Sequence, residues 1–379
     1  MIWRTWLPMT AAIAVNGCVA TQSDRVSTAS EELSVFDWSA DSIMGWHTES
    51  GSGPAVAGAN GVALSVYPQG YVDDHYTYLY WKIALSSASY AWPLEPTLMY
   101  PHASSTAHPT LVAFNGFFYV FYASGVDQYY ARFNPSTRQW TGSALLPFIS
   151  NGAVAAVPFN GSLALVRSDP SNNQLYLRWM ATDESFSTEQ AISYSTLATD
   201  PCAVVSGPPL ELTTAGPAAP APAVAPIDLV SIGINYSEFS ASTVALATAG
   251  NCLYMAHLDG TSSTLVYNTY SHGSWGAKRT ITSGPGGAAQ TSAAQPAIAS
   301  LAGTLHLVHI GPGSTYDNIY WSTLSGGSWT APIGIPNHQS YLTPALASLG
   351  DRLTMLHMGS SAPEPGGSTN LWTSTYLPH

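Results

Sequence analysis

Two stretches near the end of the chain decide the fold: PAIASLAGTLHLVHIG at residues 296–311 and PALASLGDRLTMLHMG at residues 344–359. Each contains two short apolar runs on either side of a glycine turn, which is the pattern of a tight β-hairpin. Such self-similarity indicates a repeat architecture. Related copies of the phrase begin at Pro54, Pro109, Ala153 and Val244.

The turn glycines give the number of units. Their spacings along the chain are 55, 45, 89, 53 and 47 residues, so the third spacing is about twice the others. A degenerate copy, PCAVVSGPPLELTTAG at residues 201–216, fills that interval with Gly207 as its turn residue. The sequence therefore predicts seven units, with a degenerate one at 200–242 and six units as the alternative. The visible turn glycines are Gly61, Gly116, Gly161, Gly250, Gly303 and Gly350.

The residues after each hairpin complete a four-stranded unit. An aromatic third strand follows, as at Trp81 and Trp321, and then a fourth strand marked by an aromatic such as Trp140 or Trp329. Four strands per repeated unit predict an all-β, seven-bladed β-propeller over residues 41–379. The last unit lacks a fourth strand, and the segment near Trp46 resembles one. We expect this N-terminal strand to close the ring, which removes two exposed sheet edges.

Composition supports the all-β prediction and excludes some functions. The 379 residues are 46% hydrophobic and only 8% charged, with a formal net charge of -12. Abundant glycine and proline favour short strands and tight turns over long solvated helices. Nucleic-acid binding needs clustered cations that neutralise phosphates, and the sequence has no such cluster. We therefore expect no nucleic-acid partner.

The N-terminus has the pattern of an export signal. Arg4 precedes a short apolar stretch that is too short to span a bilayer, so residues 1–17 are predicted to be a signal peptide. The sequence before Cys18 is similar to a bacterial lipobox, which makes Cys18 a candidate for lipidation. Ordinary cleavage after Ala20 is the alternative. Residues 18–40 form a predicted flexible tether. We expect an extracytoplasmic protein, secreted or held at the membrane only through a lipid anchor.

Two further cysteines, Cys202 and Cys252, raise the question of a disulfide bond. In the seven-unit alignment, Cys202 begins strand a of the degenerate unit and Cys252 begins strand b of the next. These strands run antiparallel, so their starts lie on opposite faces, whereas a bridge needs Cα atoms within about 7 Å. The alignment therefore predicts two free thiols.

One residue at the end of strand b recurs in every unit and forms a candidate ligand-binding ring. Aromatic, histidine and arginine side chains stack on apolar sugar faces and donate hydrogen bonds to hydroxyls, and Asp127 and Asp317 in the following loops add acceptors. The alternative is that a residue repeated in every unit serves packing. The ring positions are Tyr67, Tyr122, Arg167, Thr214, His257, His309 and His357.

Catalytic and metal-binding patterns are weak in this sequence. Glycosidases place two carboxylates on either side of one glycosidic bond, and no such pair of residues stands out in this sequence. The turn at residues 271–275 looks like a degenerate form of the sialidase Asp-box without its aspartate. Histidines spaced one per blade do not converge except on the axis, so we expect no metal site. Because no catalytic pattern stands out, we also expect no catalytic residue and no cofactor.

The repeat resembles those of exported bacterial propeller proteins, on the phrase PALAxxxGxLxxxHxG followed by an aromatic pair and Gly-Gly-Ser-Trp. Its layout is similar to that of the seven-bladed bacterial propeller lectins, over nearly the whole chain from residue 41. The resemblance implies sugar sites between blades and a non-enzymatic, carbohydrate-binding or adhesive function with a glycan or glycoconjugate partner. A sialidase-like glycoside hydrolase and a protein-interaction scaffold are the alternatives.

Overall fold

A computed structural model describes most of the chain from Trp38 onward. The predicted signal peptide, Cys18, Trp46, Gly207 and Thr214 lie outside the described residues. Within the described part, no helix has the length and hydropathy needed to cross a membrane. The described residues are 38–44, 52–70, 77–86, 90–93, 95–99, 103–195, 200–202, 235–238, 240, 243–260, 262–311, 317–340, 342–360 and 369–378.

The described strands form six antiparallel blades, each ordered a to d from the inside outward. Blade 1 contains β2 (Ala55–Ala59), β3 (Val62–Gly70), β4 (Thr77–Leu85) and β5 (Thr97–Leu98). Blade 2 contains β6 (Thr110–Phe114), β7 (Phe117–Ser124), β8 (Asp127–Asn134), β9 (Gln139–Trp140) and β10 (Ala144–Ile149). Blade 3 contains β11 (Ala155–Phe159), β12 (Ser162–Ser168), β13 (Leu175–Met180) and β14 (Gln190–Ala191).

The other three blades continue the ring and return to the N-terminus. Blade 4 contains β17 (Ala245–Ala249), β18 (Cys252–Leu258), β19 (Leu265–Ser271), β20 (Ser274–Trp275) and β21 (Arg279–Thr280). Blade 5 contains β22 (Ala297–Leu301), β23 (Thr304–Ile310), β24 (Asp317–Ser325), β25 (Ser328–Trp329) and β26 (Ile333–Ser340). Blade 6 contains β27 (Ala345–Leu349), β28 (Arg352–Ser360), β29 (Thr369–Tyr376) and β1 (Ser42–Ile43). A separate two-stranded sheet joins β15 (Ser193–Ser195) and β16 (Asn235–Ser237).

The a–b hairpins form at the predicted glycine turns. All six visible turn glycines have positive φ, from +57° at Gly250 to +83° at Gly303. In three hairpins an asparagine with positive φ precedes the glycine, as at Asn60 and Gly61, which is the sequence that type I′ turns require. The strands that follow are largely buried on both faces because they pack between neighbouring blades, so most of their residues are apolar.

The prediction of seven blades is wrong, and the six-blade alternative is correct. The inner strand of blade 3, β11, contacts the inner strand of blade 4, β17, directly. The two blades also share one core, in which Val157 packs in the same cluster as Leu253 and Met255. No ring position is left between them for residues 200–242. Instead, β15 and β16 pair with each other in the separate two-stranded sheet.

Closure of the ring by an N-terminal strand is confirmed. β1 pairs antiparallel with β29, with Ser42 opposite Thr373 and Ile43 opposite Trp372. The contact begins before residue 41, because Trp38 forms a bridge with Tyr376 and is only 6% exposed. The chain from Val35 to the C-terminus is one compact unit, so the closing segment extends into the stretch that the sequence assigns to a tether.

The prediction that Cys202 and Cys252 are free thiols is wrong, because the two are joined in a disulfide with Cα atoms 5.9 Å apart. Cys202 does not begin a blade strand; it lies in a turn beside blade 4. Asp200 anchors this turn by accepting a hydrogen bond from the Thr269 hydroxyl at 2.7 Å and pairing with Arg279 at 2.9 Å. The wrong alignment of residues 201–216 therefore produced the wrong thiol geometry.

Loss of this disulfide is expected to destabilise the propeller by about 4 kcal/mol, or a fall in Tm of roughly 6 °C. The bridge spans 50 residues of sequence, and without it the unfolded chain gains the entropy of an open loop. Thermal unfolding of a Cys202→Ala/Cys252→Ala double variant tests this. Reductant should lower the Tm of the native protein and leave that of the double variant unchanged. Equal Tm values for the native protein and the double variant, both without reductant, would contradict the prediction.

Candidate functional site

A cavity of about 110 Å³ lies on the propeller axis, where the inner strands begin. The first residues of all six inner strands line it, so its walls come from the repeated phrase itself. Most of the lining is proline, alanine, valine, leucine or isoleucine. The polar side chains that line it are those of His108, Thr110, Gln295 and Thr343. We call this opening the axial mouth.

The polar side chains of the axial mouth are uncharged. Burial lowers the pKa of His108 to about 4, against a smaller opposing effect from the Gly53 backbone, so the imidazole is neutral at pH 7. Its Nδ1 has no aligned hydrogen-bond partner within the described residues. The Thr243 hydroxyl donates to Oε1 of Gln295 and fixes that amide. No Asp, Glu, Lys or Arg lines the cavity in the part of the chain that the structure describes.

A glycine is required beside His108. A Cβ atom at Gly53 would lie 2.3 Å from the carbonyl oxygen of Thr343 and 2.7 Å from Nδ1 of His108. Both distances are below van der Waals contact. Blades 1, 2 and 6 therefore approach each other closely at the mouth, which holds the imidazole of His108 at the edge of the cavity.

The ring predicted from the strand b residues lies one strand outward from the axial mouth. Val66 pairs with Ala55, so Tyr67, the next residue, stands beside Pro54. The same relation holds in the other blades. Six members of the ring are buried, at 0–9% exposure: Tyr67, Tyr122, Arg167, His257, His309 and His357.

Three ring members stack on an aromatic residue of strand c. The ring centroids are 6.4 Å apart for Tyr67 and Tyr80, and 5.6 Å apart for Tyr122 and Tyr129. His309 stacks on Tyr320 at 5.6 Å. Burial raises the pKa of Tyr67 and of Tyr122, and it lowers the pKa of His309 to about 4.

The remaining ring members are held by polar contacts. Arg167 binds Glu189 through two hydrogen bonds of 2.7 and 2.6 Å. His257 contacts the carbonyl oxygen of Leu258 at 2.9 Å, and His357 contacts that of Gln339 at 2.9 Å. These contacts explain the ring as packing between strands, and ligand binding through it stays a prediction.

Two aspartates in the following loops were predicted to add acceptors. Asp127 is exposed at the start of β8. Asp317 begins β24, and its side chain lies outside the described residues.

A charged cluster in blade 4 was missed by the sequence analysis. Glu238 is fully buried, with Nζ of Lys278 at 3.4 Å and Nε2 of His257 at 3.6 Å. The same Lys278 ammonium contacts Asp259 at 2.8 Å. Glu238 lies outside the repeated phrase, so no pattern pointed to it. In contrast, His108 and Gln295 directly precede the proline that begins the repeated phrase, and this recurring position could have identified them from the sequence.

The comparisons with known proteins concern the overall fold only. No protein-family model and no curated protein sequence matches the chain. Among solved structures, a PQQ-bound aldose sugar dehydrogenase from Streptomyces coelicolor has a TM-score of 0.49 and 13% identity, covering 88% of this chain and 97% of that one. A luciferin-regenerating enzyme has a TM-score of 0.48 and 11% identity, covering 89% and 95%. A neuraminidase-like protein from A/bat/Guatemala/164/2009 has a TM-score of 0.49 and 9% identity, covering 90% and 94%.

Proposed function

We propose that this six-bladed propeller is a non-enzymatic, lectin-like protein that binds a carbohydrate at the axial mouth. The observation that carries the proposal is an uncharged polar rim over apolar walls. Sugars present apolar faces and neutral hydroxyls, and sites for such ligands combine apolar surface with a few oriented polar groups. His108 supplies a neutral imidazole, and Gln295 supplies an amide that the Thr243 hydroxyl holds in place.

The size of the cavity limits what enters it. At about 110 Å³, it exceeds the roughly 10–15 Å³ that one water occupies, yet it is far smaller than a site that encloses a large ligand. A terminal sugar or the edge of one ring suits it. The axial mouth is also a single site per chain, so the proposed binding is monovalent rather than repeated between blades.

The proposed setting is outside the cell, through the export signal at residues 1–17, with Cys18 as the proposed lipid anchor. A glycan or glycoconjugate is the proposed partner. Nucleic acid is disfavoured by the formal net charge of -12. If the glycan is carried by the surface of another cell, the proposed binding makes the protein an adhesin.

A glycoside hydrolase is the second candidate, and one observation favours it. Glu238 and Asp259 both contact Nζ of Lys278, at 3.4 and 2.8 Å, which brings two carboxylates close together. Hydrolysis needs such a pair facing one bond. However, Glu238 is 0% exposed, and both carboxylates are ion-paired with Lys278, so the arrangement also serves to connect β16 to blade 4.

Replacing Gln295 with Ala is expected to weaken glycan binding about tenfold, because one hydrogen bond contributes roughly 1–1.5 kcal/mol. A glycan array identifies the ligand, and titration calorimetry measures Kd. The matched control is Gln339→Ala, because Gln339 is exposed on β26 away from the axis. Tyr122→Phe tests the strand b ring and is expected to keep the native affinity.

The same experiment separates the alternatives. A loss of affinity in Tyr122→Phe but not in Gln295→Ala would place the ligand at the ring and contradict the axial site. Binding to no glycan would contradict the lectin proposal and favour a protein-interaction scaffold. Release of shorter sugars from bound glycans would favour the hydrolase.

A further inference from the structure

Three side chains from distant parts of the sequence meet where the ring closes. Asp41 lies just before β1, His338 lies on β26 of blade 5, and His357 lies on β28 of blade 6. Oδ1 of Asp41 is 2.9 Å from Nε2 of each histidine. One ligand atom from each of the three residues lies within 4.8 Å of the others. The two imidazole side chains are 4% and 1% exposed, and the carboxylate is 17% exposed.

The backbone fixes which ring nitrogen of each histidine faces the cluster. Nδ1 of His338 lies 2.8 Å from the carbonyl oxygen of Pro336, and Nδ1 of His357 lies 2.9 Å from that of Gln339. A carbonyl oxygen only accepts, so each Nδ1 carries a proton. In the neutral imidazole, Nε2 then presents its lone pair to the centre of the cluster. This Nδ1–H to carbonyl contact is the usual support of a metal-binding histidine.

Without an ion, hydrogen bonds satisfy this cluster only if each imidazole also carries a proton on Nε2 and donates it to Oδ1 of Asp41. With neutral rings, two nitrogen lone pairs would face a carboxylate oxygen at 2.9 Å, and all three groups would be acceptors. Nε2 of His338 in fact makes no aligned hydrogen bond, although it is buried. A small cation between the three atoms would accept all three lone pairs.

We propose that Asp41, His338 and His357 bind one divalent transition-metal ion of the zinc class. Two imidazole nitrogens and one carboxylate oxygen are a ligand set that Zn²⁺ accepts in tetrahedral sites, with water in the fourth position. Tetrahedral ligands at about 2.0–2.1 Å stand roughly 3.3 Å apart. To admit the ion, Oδ1 of Asp41 would move away from each Nε2 by about 0.4 Å, and the two Nε2 atoms, which lie within 4.8 Å of each other, would settle about 3.3 Å apart.

The ion's role in this place is structural. It would connect the N-terminal segment to blade 6 through His357 and to blade 5 through His338. The two strands β1 and β29 pair over only two residues, so a metal bond at Asp41 would strengthen the short pairing that closes the ring. The site is separate from the axial mouth and does not depend on the proposed sugar binding.

Metal content and thermal unfolding of the full chain, prepared without an affinity tag and treated with chelator, test the proposal. We expect one zinc per chain after dialysis against Zn²⁺, and a rise in Tm of about 4 °C at free zinc a hundredfold above Kd. Co²⁺ in place of Zn²⁺ should give the intense visible absorption of a tetrahedral site. Asp41→Asn and His338→Gln should each lose the zinc, the Tm rise and the Co²⁺ absorption.

Two exposed residues provide matched controls. Asp351→Asn and His272→Asn remove one carboxylate and one imidazole from the surface, and both variants should bind zinc as the native chain does. If Asp41→Asn fails to fold, His338→Gln on the outer strand of blade 5 provides the same comparison. Absence of stoichiometric zinc in the native chain would overturn the proposal. So would zinc retained in full by the variants of Asp41 and His338.

Discussion

Deletion of residues 1–44 is expected to remove most of the stability of the propeller. The deletion takes away Trp38 and Met44, which are 6% and 1% exposed. Truncating two such side chains costs roughly 5–10 kcal/mol in total. A whole domain is stable by only about 5–15 kcal/mol, so we expect the truncated chain to be largely unfolded at 37 °C.

The contacts of the closing segment explain why the expected effect is large. Trp38 packs edge-on against Trp321 of blade 5, with centroids 6.0 Å apart, and against Tyr376 of blade 6 at 5.6 Å. The carbonyl oxygen of Met44 accepts a hydrogen bond from the buried Nζ of Lys82 in blade 1. Burial lowers the pKa of Lys82 to about 8, so loss of an acceptor is costly there. Without β1, strand β29 also becomes an open edge that invites aggregation.

Urea unfolding followed by tryptophan fluorescence measures the effect, and size-exclusion chromatography detects association through the open edge. The control is deletion of residues 1–34, since the compact unit begins at Val35. That shorter deletion should leave the unfolding midpoint unchanged. Equal stability of the two truncated chains would refute the importance of the N-terminal closure.

Acidification from pH 7 to pH 5 is expected to destabilise the propeller by about 6 kcal/mol through three histidines. Burial lowers the pKa of His108, His306 and His309 to about 4 each, against about 6.5 in the unfolded chain. The unfolded state therefore binds protons first. The stabilisation is complete above pH 6.5, falls as the pH drops, and is lost below pH 4.

The structure explains why His306 stays neutral. Its imidazole stacks on Trp321 with an interplanar angle of 4°. Nδ1 accepts a hydrogen bond of 3.2 Å from the indole Nε1–H of the same tryptophan. Protonation of Nδ1 would break that bond and place a charge in the core.

Urea unfolding at pH 7, 6 and 5 measures the predicted dependence. The His306→Gln variant should lose about one third of the acid destabilisation, or roughly 2 kcal/mol. His272→Asn serves as the control, because His272 is exposed at a turn and its replacement should leave the pH dependence unchanged. An identical pH dependence for His306→Gln and the native chain would show that His306 does not contribute to the acid destabilisation.

The sequence predicted some details of the site and missed others. It identified the strand b positions correctly as a recurring layer, because Tyr67, His309 and His357 occupy equivalent places in their blades. It did not predict that these side chains are buried, because burial depends on how neighbouring blades pack. The cluster of Asp41, His338 and His357 was also invisible, since Asp41 and His357 are 316 residues apart in sequence and only ring closure brings them together.

The sequence by itself determined the blade, its glycine turns and closure of the ring by an N-terminal strand. Those features are local or repeated: turn chemistry fixes each hairpin, and an unpaired edge requires a partner. Only the tertiary structure decided that there are six blades and that Cys202 meets Cys252. A copy of the phrase becomes a blade only if its inner strand finds a place between two neighbours. β11 and β17 already contact each other, and that packing excludes a seventh blade.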